Sequence, residues 1–192
     1  LLNNPDLGAP DLNSVSLKDV ERIEILSGSA GVLYGDQAVG GVINIITRSP
    51  ERFHARVDGS AASYHSTGAT VEISDRHERG VGYRFSAEQS YAGNYRDHND
   101  QDYRNLLGLL DYRHQSGTVF MEYQEVREHL QTPGALFADQ VRTDRRQAFT
   151  PRDFIKTDTE NFRWGVRQAI FPGWDVLAEY TVRRDTGRGI LS

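Results

Sequence analysis

The clearest regularity in the chain is a period of two. In the segment from Val81 to Tyr91, residues Val81, Tyr83, Phe85, Ala87 and Tyr91 alternate with Gly82, Arg84, Ser86, Glu88 and Ser90. Phe162, Trp164, Val166 and Ile170 oppose Arg163, Gly165, Arg167 and Ala169, and Val176, Ala178, Tyr180 and Val182 oppose Leu177, Glu179, Thr181 and Arg183. Alternation of this kind predicts strands with one apolar and one polar face. Thr118–Arg127 is weaker, because Phe120 sits on the polar face. Arg104–His114 is blurred by Leu106, Leu107, Leu109 and Leu110, which occupy both faces. Ala55–Tyr64 and Gly68–Ser74 complete a set of about seven strands, and no helical period competes over a long window. The fold class expected is mostly β.

Upstream the texture differs. Leu1–Ser16 is loop-like, with Pro5, Gly8 and Pro10. Asp19–Arg22 predicts one short helical turn, Arg22–Leu26 a strand, and "GVINIIT" (Gly41–Thr47) a buried strand. A boundary is expected near Ser49–Phe53, which divides the chain into residues 1–50 and 53–192.

The connections alternate in length. Short links are expected at Arg76–Gly80, Gln115–Gly117 and Phe171–Gly173, with tight-turn residues. Longer links are expected at Ala92–Gln101 and Glu128–Glu160, and His65–Thr67 is a short exception. Short turns at one end and long loops at the other are the pattern of an outer-membrane barrel, whose apolar, aromatic face meets lipid and whose polar face meets a wet lumen. A soluble β-sandwich binding module, with the apolar face as its core, is the alternative that periodicity alone leaves open.

Bulk properties narrow the choices. The chain has 192 residues, a net charge of -5 and no cysteine. The sequence pI is 5.7 and the mean hydropathy -0.59. An acidic balance without a dense Lys/Arg block argues against nucleic acid as a partner. Disulfides and thiolate metal sites are excluded. No apolar run reaches the roughly 18 residues that a membrane helix needs, but strands of a barrel escape hydropathy averages. A first residue of Leu, with no leader-like segment after it, predicts that the chain begins inside a longer parent.

"SGSAGVLYGDQAVGGVINIITR" (Ser27–Arg48) raises the question of a phosphate loop. A Walker loop needs Lys and Ser/Thr after its last glycine, whereas Gly41 precedes Val42 and Ile43. The spacing of Gly28, Gly31, Gly35, Gly40 and Gly41 is not that of a dinucleotide fingerprint, and a strand follows instead of a helix. No Gly-x-Ser-x-Gly elbow exists around Ser29. These glycines are expected to serve turns and close backbone approach. Elsewhere, "DHNDQD" (Asp97–Asp102) lacks the spacing of a calcium loop. The six histidines include no His-x-x-x-His pair. "RTDRRQ" (Arg142–Gln147) is a small basic cluster suited to an anionic ligand. No catalytic constellation, cofactor site or metal site is expected.

The segment "DVERIEILSGSAGVLYGDQAVGGVINIITR" (Asp19–Arg48) resembles the plug signature of TonB-dependent outer-membrane receptors. The match runs through Glu21, Arg22, Glu24, Gly28, Leu33, Tyr34, Gly35, Ala38, Gly40, Gly41, Asn44 and Thr47. It departs where the family often has Arg-Gly-Pro, since Ser27 and Ser29 flank Gly28 here; that arginine pairs with barrel carboxylates in some members. "TPGALFADQVRTDRRQAFTPRDFIKTDTENFRWG" (Thr132–Gly165) is similar to a long extracellular loop of the ferric-dicitrate and pyrroloquinoline-quinone branch. The resemblance implies a plug inside a 22-stranded barrel. Residues 1–50 would then be the second half of the plug, and 53–192 the first strands of the barrel. It also implies uptake of a scarce ligand, a ferric siderophore or a vitamin-like molecule, into the periplasm, driven by TonB through an N-terminal box outside these residues. Outer-membrane lipid would surround the strands. Arg84, Glu88, Arg163, Arg167, Glu179 and Arg183 become the candidates for a lumen-facing surface.

Overall fold

The computed structural model describes residues 15–29, 31–34 and 38–192. The chain forms two compact units, Leu1–Ser49 and Pro50–Ser192. In the first, β1 (Val20–Ser27) pairs antiparallel with β2 (Gly41–Thr47), with one helical turn, α1 (Gly31–Tyr34), between them. The turn expected at Asp19–Arg22 lies earlier, at Leu17–Asp19, and the strand begins at Val20. The Arg48 amide donates to the Asp19 carbonyl at 3.0 Å, which ties the end of β2 to the start of β1 and draws Val20 into the ladder. β2 is half-buried and not the buried strand its composition suggests, because β1 is its only sheet neighbour among the described residues.

The second unit is one antiparallel sheet in strict sequence order. Its strands are β3 (His54–Ala62), β4 (Ser66–Arg76), β5 (Val81–Ala92), β6 (Gln101–His114), β7 (Gly117–Gln131), β8 (Phe154–Phe171) and β9 (Trp174–Ile190); α2 (Ala138–Thr143) sits between β7 and β8. Every junction is a meander, so all even-numbered connections leave from one end and all odd-numbered ones from the other. The hairpins at residues 77–80, 115–116 and 172–173 are short. Gly80 makes the first of them possible: its φ is +91°, and a Cβ there would lie 2.0 Å from the Arg113 carbonyl. At the opposite end are the turn at 63–65 and the loops at 93–100 and 132–153. The largest loop is shorter than the Glu128–Glu160 expected, because β7 and β8 run further than their alternation does. Likewise the first turn precedes the expected His65–Thr67, with Tyr64 and His65 at φ of 58° and 59°, the left-handed pair that a two-residue hairpin requires.

Direct cross-strand partners share a face of a sheet. One outward row reads Ala55, Ile73, Phe85, Gly108, Tyr123, Phe162, Val182; the next reads Asp75, Tyr83, Leu110, Met121, Trp164, Tyr180. Rows on the other face read Ser74, Arg84, Leu109, Glu122, Arg163, Thr181 and Glu72, Ser86, Leu107, Gln124, Asn161, Arg183. The sheet is inverted relative to a soluble one. Phe85, Trp164, Tyr180 and Val182 are about half exposed, whereas Glu72, Arg84, Ser86, Asn105 and Glu122 are buried. A sandwich would cover the apolar face with a second sheet, and the second unit holds a single sheet among its described residues. No helix among them is long and apolar enough to cross a membrane, which says nothing about strands.

Candidate functional site

The polar face carries ion pairs across the strands. Arg84 on β5 donates from Nε to Glu72 Oε1 on β4 at 3.0 Å, with both side chains almost fully buried. Arg76 reaches Asp111 at 2.7 Å, and its other nitrogens donate to the carbonyls of Pro50 and Gly80. Arg163 lies between Glu122 at 3.3 Å and Glu179 at 3.6 Å. Gln124 donates to Asn105 at 3.1 Å, and Thr159 to Asp185 at 2.8 Å. A buried charge is tolerated only when paired in this way. The strand register puts all six residues anticipated as one polar surface (Arg84, Glu88, Arg163, Arg167, Glu179 and Arg183) on this face. The ion-pair partners Glu72, Asp111 and Glu122 were not anticipated. Their strand parity was available in the sequence, but their pairing depends on register.

Three apolar side chains intrude into this face. Leu107 and Leu109 are buried on it. Phe120 lies opposite Gly165, with the Arg163 guanidinium 5.2 Å from its ring centroid.

The loop end of the sheet is tied together by backbone carbonyls. Arg96, in the 93–100 loop, donates to the carbonyls of Gly134 (2.6 Å), Pro133 (3.3 Å) and Gln147 (2.8 Å). The Asp97 amide donates to the Arg146 carbonyl, and His98 Nε2 lies 2.7 Å from the Asp153 carbonyl. The Ser192 amide and hydroxyl both donate to Asp153, at 2.9 and 2.8 Å. The amide bond foremost holds that carboxyl below the usual aspartate range. Beside these ties lies an open cleft of about 480 Å³, lined by Tyr64, Tyr91, Arg96, His98, Asp100 and Arg146 among others. The residues of "DHNDQD" thus hold loop to loop.

In the first unit, the signature residues form a small cluster of their own. Glu24 and Asn44 are direct partners across β1 and β2. Arg22 Nε donates to Glu24 at 2.9 Å, Asn44 Nδ2 donates to its other oxygen at 3.1 Å, and Arg22 also pairs with Glu21 at 3.0 Å. The Arg22 bond, then the Asn44 bond, lowers the Glu24 pKa below its ordinary value. Gly28 has φ of +100° and Gly41 of +150°; a Cβ at Gly41 would lie 2.5 Å from the Leu26 carbonyl. Close approach therefore accounts for Gly41 and a turn for Gly28. At Gly31 and Gly40 a Cβ would meet nothing within 4 Å, so neither needs glycine for space. Gly35 lies outside the described residues. The Tyr34 backbone ends α1.

The first unit also matches a known family: residues 1–42 fit the TonB-dependent Receptor Plug Domain. Over that segment the chain is similar to TonB-dependent receptors. Vitamin B12 transporter BtuB of Photobacterium profundum is 37% identical over 73 residues, which is 36% of this chain and 12% of that protein. Among solved structures, the unliganded ferric citrate transporter FecA superposes with a TM-score of 0.76 at 22% identity, covering 93% of this chain and 29% of that one. BauA, the ferric preacinetobactin receptor of Acinetobacter baumannii, gives 0.77 at 17% identity, over 91% of this chain and 28% of its own. At such identities the superpositions speak for the fold. The chain spans about one-eighth of the curated transporter and less than a third of either solved chain.

Proposed function

We propose that residues 1–50 are the second half of a receptor plug and residues 53–192 the first seven strands of its barrel. The whole receptor takes up a scarce ligand, either a ferric siderophore or a vitamin-like molecule, into the periplasm. The observation that carries this reading is the inversion of the sheet, apolar outward and charged inward, directly after a plug sequence. Arg84, Glu88, Arg163, Arg167, Glu179 and Arg183 then face the lumen. A plug that must be displaced needs polar, hydrated contacts around it and not a dry core. TonB would supply the work through a segment outside these residues. The role is transport, without a catalytic step. The relatives named as carriers of vitamin B12, ferric citrate and ferric preacinetobactin support the ligand class.

The test is uptake in cells lacking the native-length protein and in the same cells complemented with it. Radiolabelled ferric dicitrate, ferric preacinetobactin and cyanocobalamin serve as probes. Accumulation of one probe that requires both the protein and TonB is the expected result. Equal accumulation with and without the protein, for all three, would contradict it.

A further inference from the structure

The chain passes from β2 to β3 through residues 48–53, which lie outside both sheets. Two ties bracket Ser49. On one side, the Arg48 amide donates to the Asp19 carbonyl at 3.0 Å within the first unit. On the other, Pro50 is the first residue of the second unit and is almost fully buried. Proline offers no N–H, and its carbonyl accepts from Arg76 Nε at 2.8 Å. A residue before proline is confined to extended backbone, so Ser49 delivers the chain to this tie in a set direction.

The sheet is shaped around Arg76. The register puts Arg76, Gly82 and Asp111 in one row of the polar face, on β4, β5 and β6. The guanidinium crosses over Gly82 to reach Asp111, and a Cβ at Gly82 would lie 2.7 Å from its central carbon. Its three nitrogens serve three separate acceptors: Nε the Pro50 carbonyl, Nη1 the Gly80 carbonyl at 2.9 Å, and Nη2 Asp111 at 2.7 Å. The side chains of Arg76 and Asp111 are only 11% and 8% exposed, so water cannot easily replace these bonds. Arg113 also reaches Glu51, at 3.2 Å, but both are exposed and such a pair contributes little. The ladders joining β4, β5 and β6 run through this row without the Pro50 bond. What that bond holds is the entering chain.

We propose that Arg76 is a positioning residue for displacement of the first unit. It fixes the chain at Pro50, so that movement imposed on the plug ends at Ser49 and does not reach β3. The proposal rests on the reading of the two units as plug and barrel.

The test uses the native-length receptor in energised cells, with the introduced cysteine its only reactive one. Ferric dicitrate, ferric preacinetobactin and cyanocobalamin are supplied together. Labelling by a small maleimide is timed at Val39→Cys, in the first unit, and at exposed Arg52→Cys, beyond the tie, with and without TonB. Two variants release Pro50. Arg76→Lys keeps a cation beside Asp111 but lacks the fork that reaches three acceptors, and Gly82→Ala crowds the guanidinium without changing any charge. With Arg76 intact, labelling at 39 is expected to rise at least threefold with TonB, and labelling at 52 to stay constant. In either variant, labelling at 52 should rise at least threefold with TonB. A TonB-dependent rise at 52 with Arg76 intact, or none in the folded variants, overturns the proposal. A rise at 52 of equal size with and without TonB makes the tie merely structural and overturns it too. So does loss of the heat-modifiable gel mobility of a folded barrel in both variants. No TonB response at 39 overturns the plug reading itself.

Discussion

Phe120 on β7 stands directly across from Gly165 on β8, and its ring fills the space that a side chain at 165 would take. A Cβ there would lie 2.7 Å from the ring tip and 2.8 Å from the Ala178 carbonyl. Phe85 covers Gly108 in the same cross-strand way on the opposite face, at 3.3 Å. An aromatic ring laid over a glycine in the neighbouring strand restores packing that the glycine forfeits. Gly165→Ala should therefore cost about 1–3 kcal/mol through overpacking, because the Ala178 backbone cannot yield as a side-chain tip can. Gly108→Ala meets only the flexible ring and should cost less. The temperatures at which the two folded barrels lose heat-modifiable mobility rank them.

The Arg84–Glu72 pair predicts a strong asymmetry between breaking and replacing it. Both side chains are buried at 3.0 Å separation. Removing one partner leaves an uncompensated charge and should cost roughly 3–5 kcal/mol. Arg84→Met with Glu72→Met should recover most of that loss. Urea midpoints of the two single variants and the double variant decide the matter. A double variant as unstable as the sum of its singles would contradict the pairing.

At the loop end, Arg96 gathers three carbonyls from both arms of the 132–153 loop. Lysine offers a point charge without the planar fork. Arg96→Lys should thus loosen residues 133–147 nearly as much as Arg96→Ala does, at roughly 2–3 kcal/mol. Hydrogen exchange should rise in that loop and stay unchanged in β6 and β7.

Glu24 makes a prediction in pH. Its carboxyl is held below the ordinary value by Arg22 first and Asn44 second. A lowered folded pKa stabilises above the unfolded pKa, and the stabilisation is lost as pH falls through the folded value. The pH dependence therefore lies in the acid range, below the ordinary glutamate value, and at neutral pH the stabilisation is present in full. Arg22→Gln should move the Glu24 carbon titration upward in NMR, and Asn44→Ala should move it by less.

The strands were legible where two different solvents flank them. Phe162–Val166 and Val176–Val182 alternate because one face of the sheet is apolar and the other polar. Phe154–Glu160 and Asp185–Ile190 extend the same strands without alternating, and their ends were missed. Beyond the apolar band both faces are polar, so Lys156, Asp158 and Glu160 look no different from Thr157 and Thr159. α1 and α2 are too short to carry a helical period. The signature cluster was legible as a set of residues, but the Glu24–Asn44 contact needs the register of β1 on β2. The Arg96 ties join residues some 37 to 51 positions apart through carbonyls that every residue has, so nothing in composition announces them.

The central claim is that the apolar face of this sheet meets lipid and the polar face does not. The absence of cysteine in these 192 residues allows single labels at adjacent positions. Spin labels on Thr181→Cys and Val182→Cys, in the native-length protein reconstituted into bilayers, report collisions with dissolved oxygen and with a water-soluble nickel chelate. The account predicts that the label at 182 is reached by oxygen and shielded from nickel, while the label at 181 is not reached by oxygen from the bilayer. Equal oxygen accessibility at the two positions, or the reverse order, would contradict it.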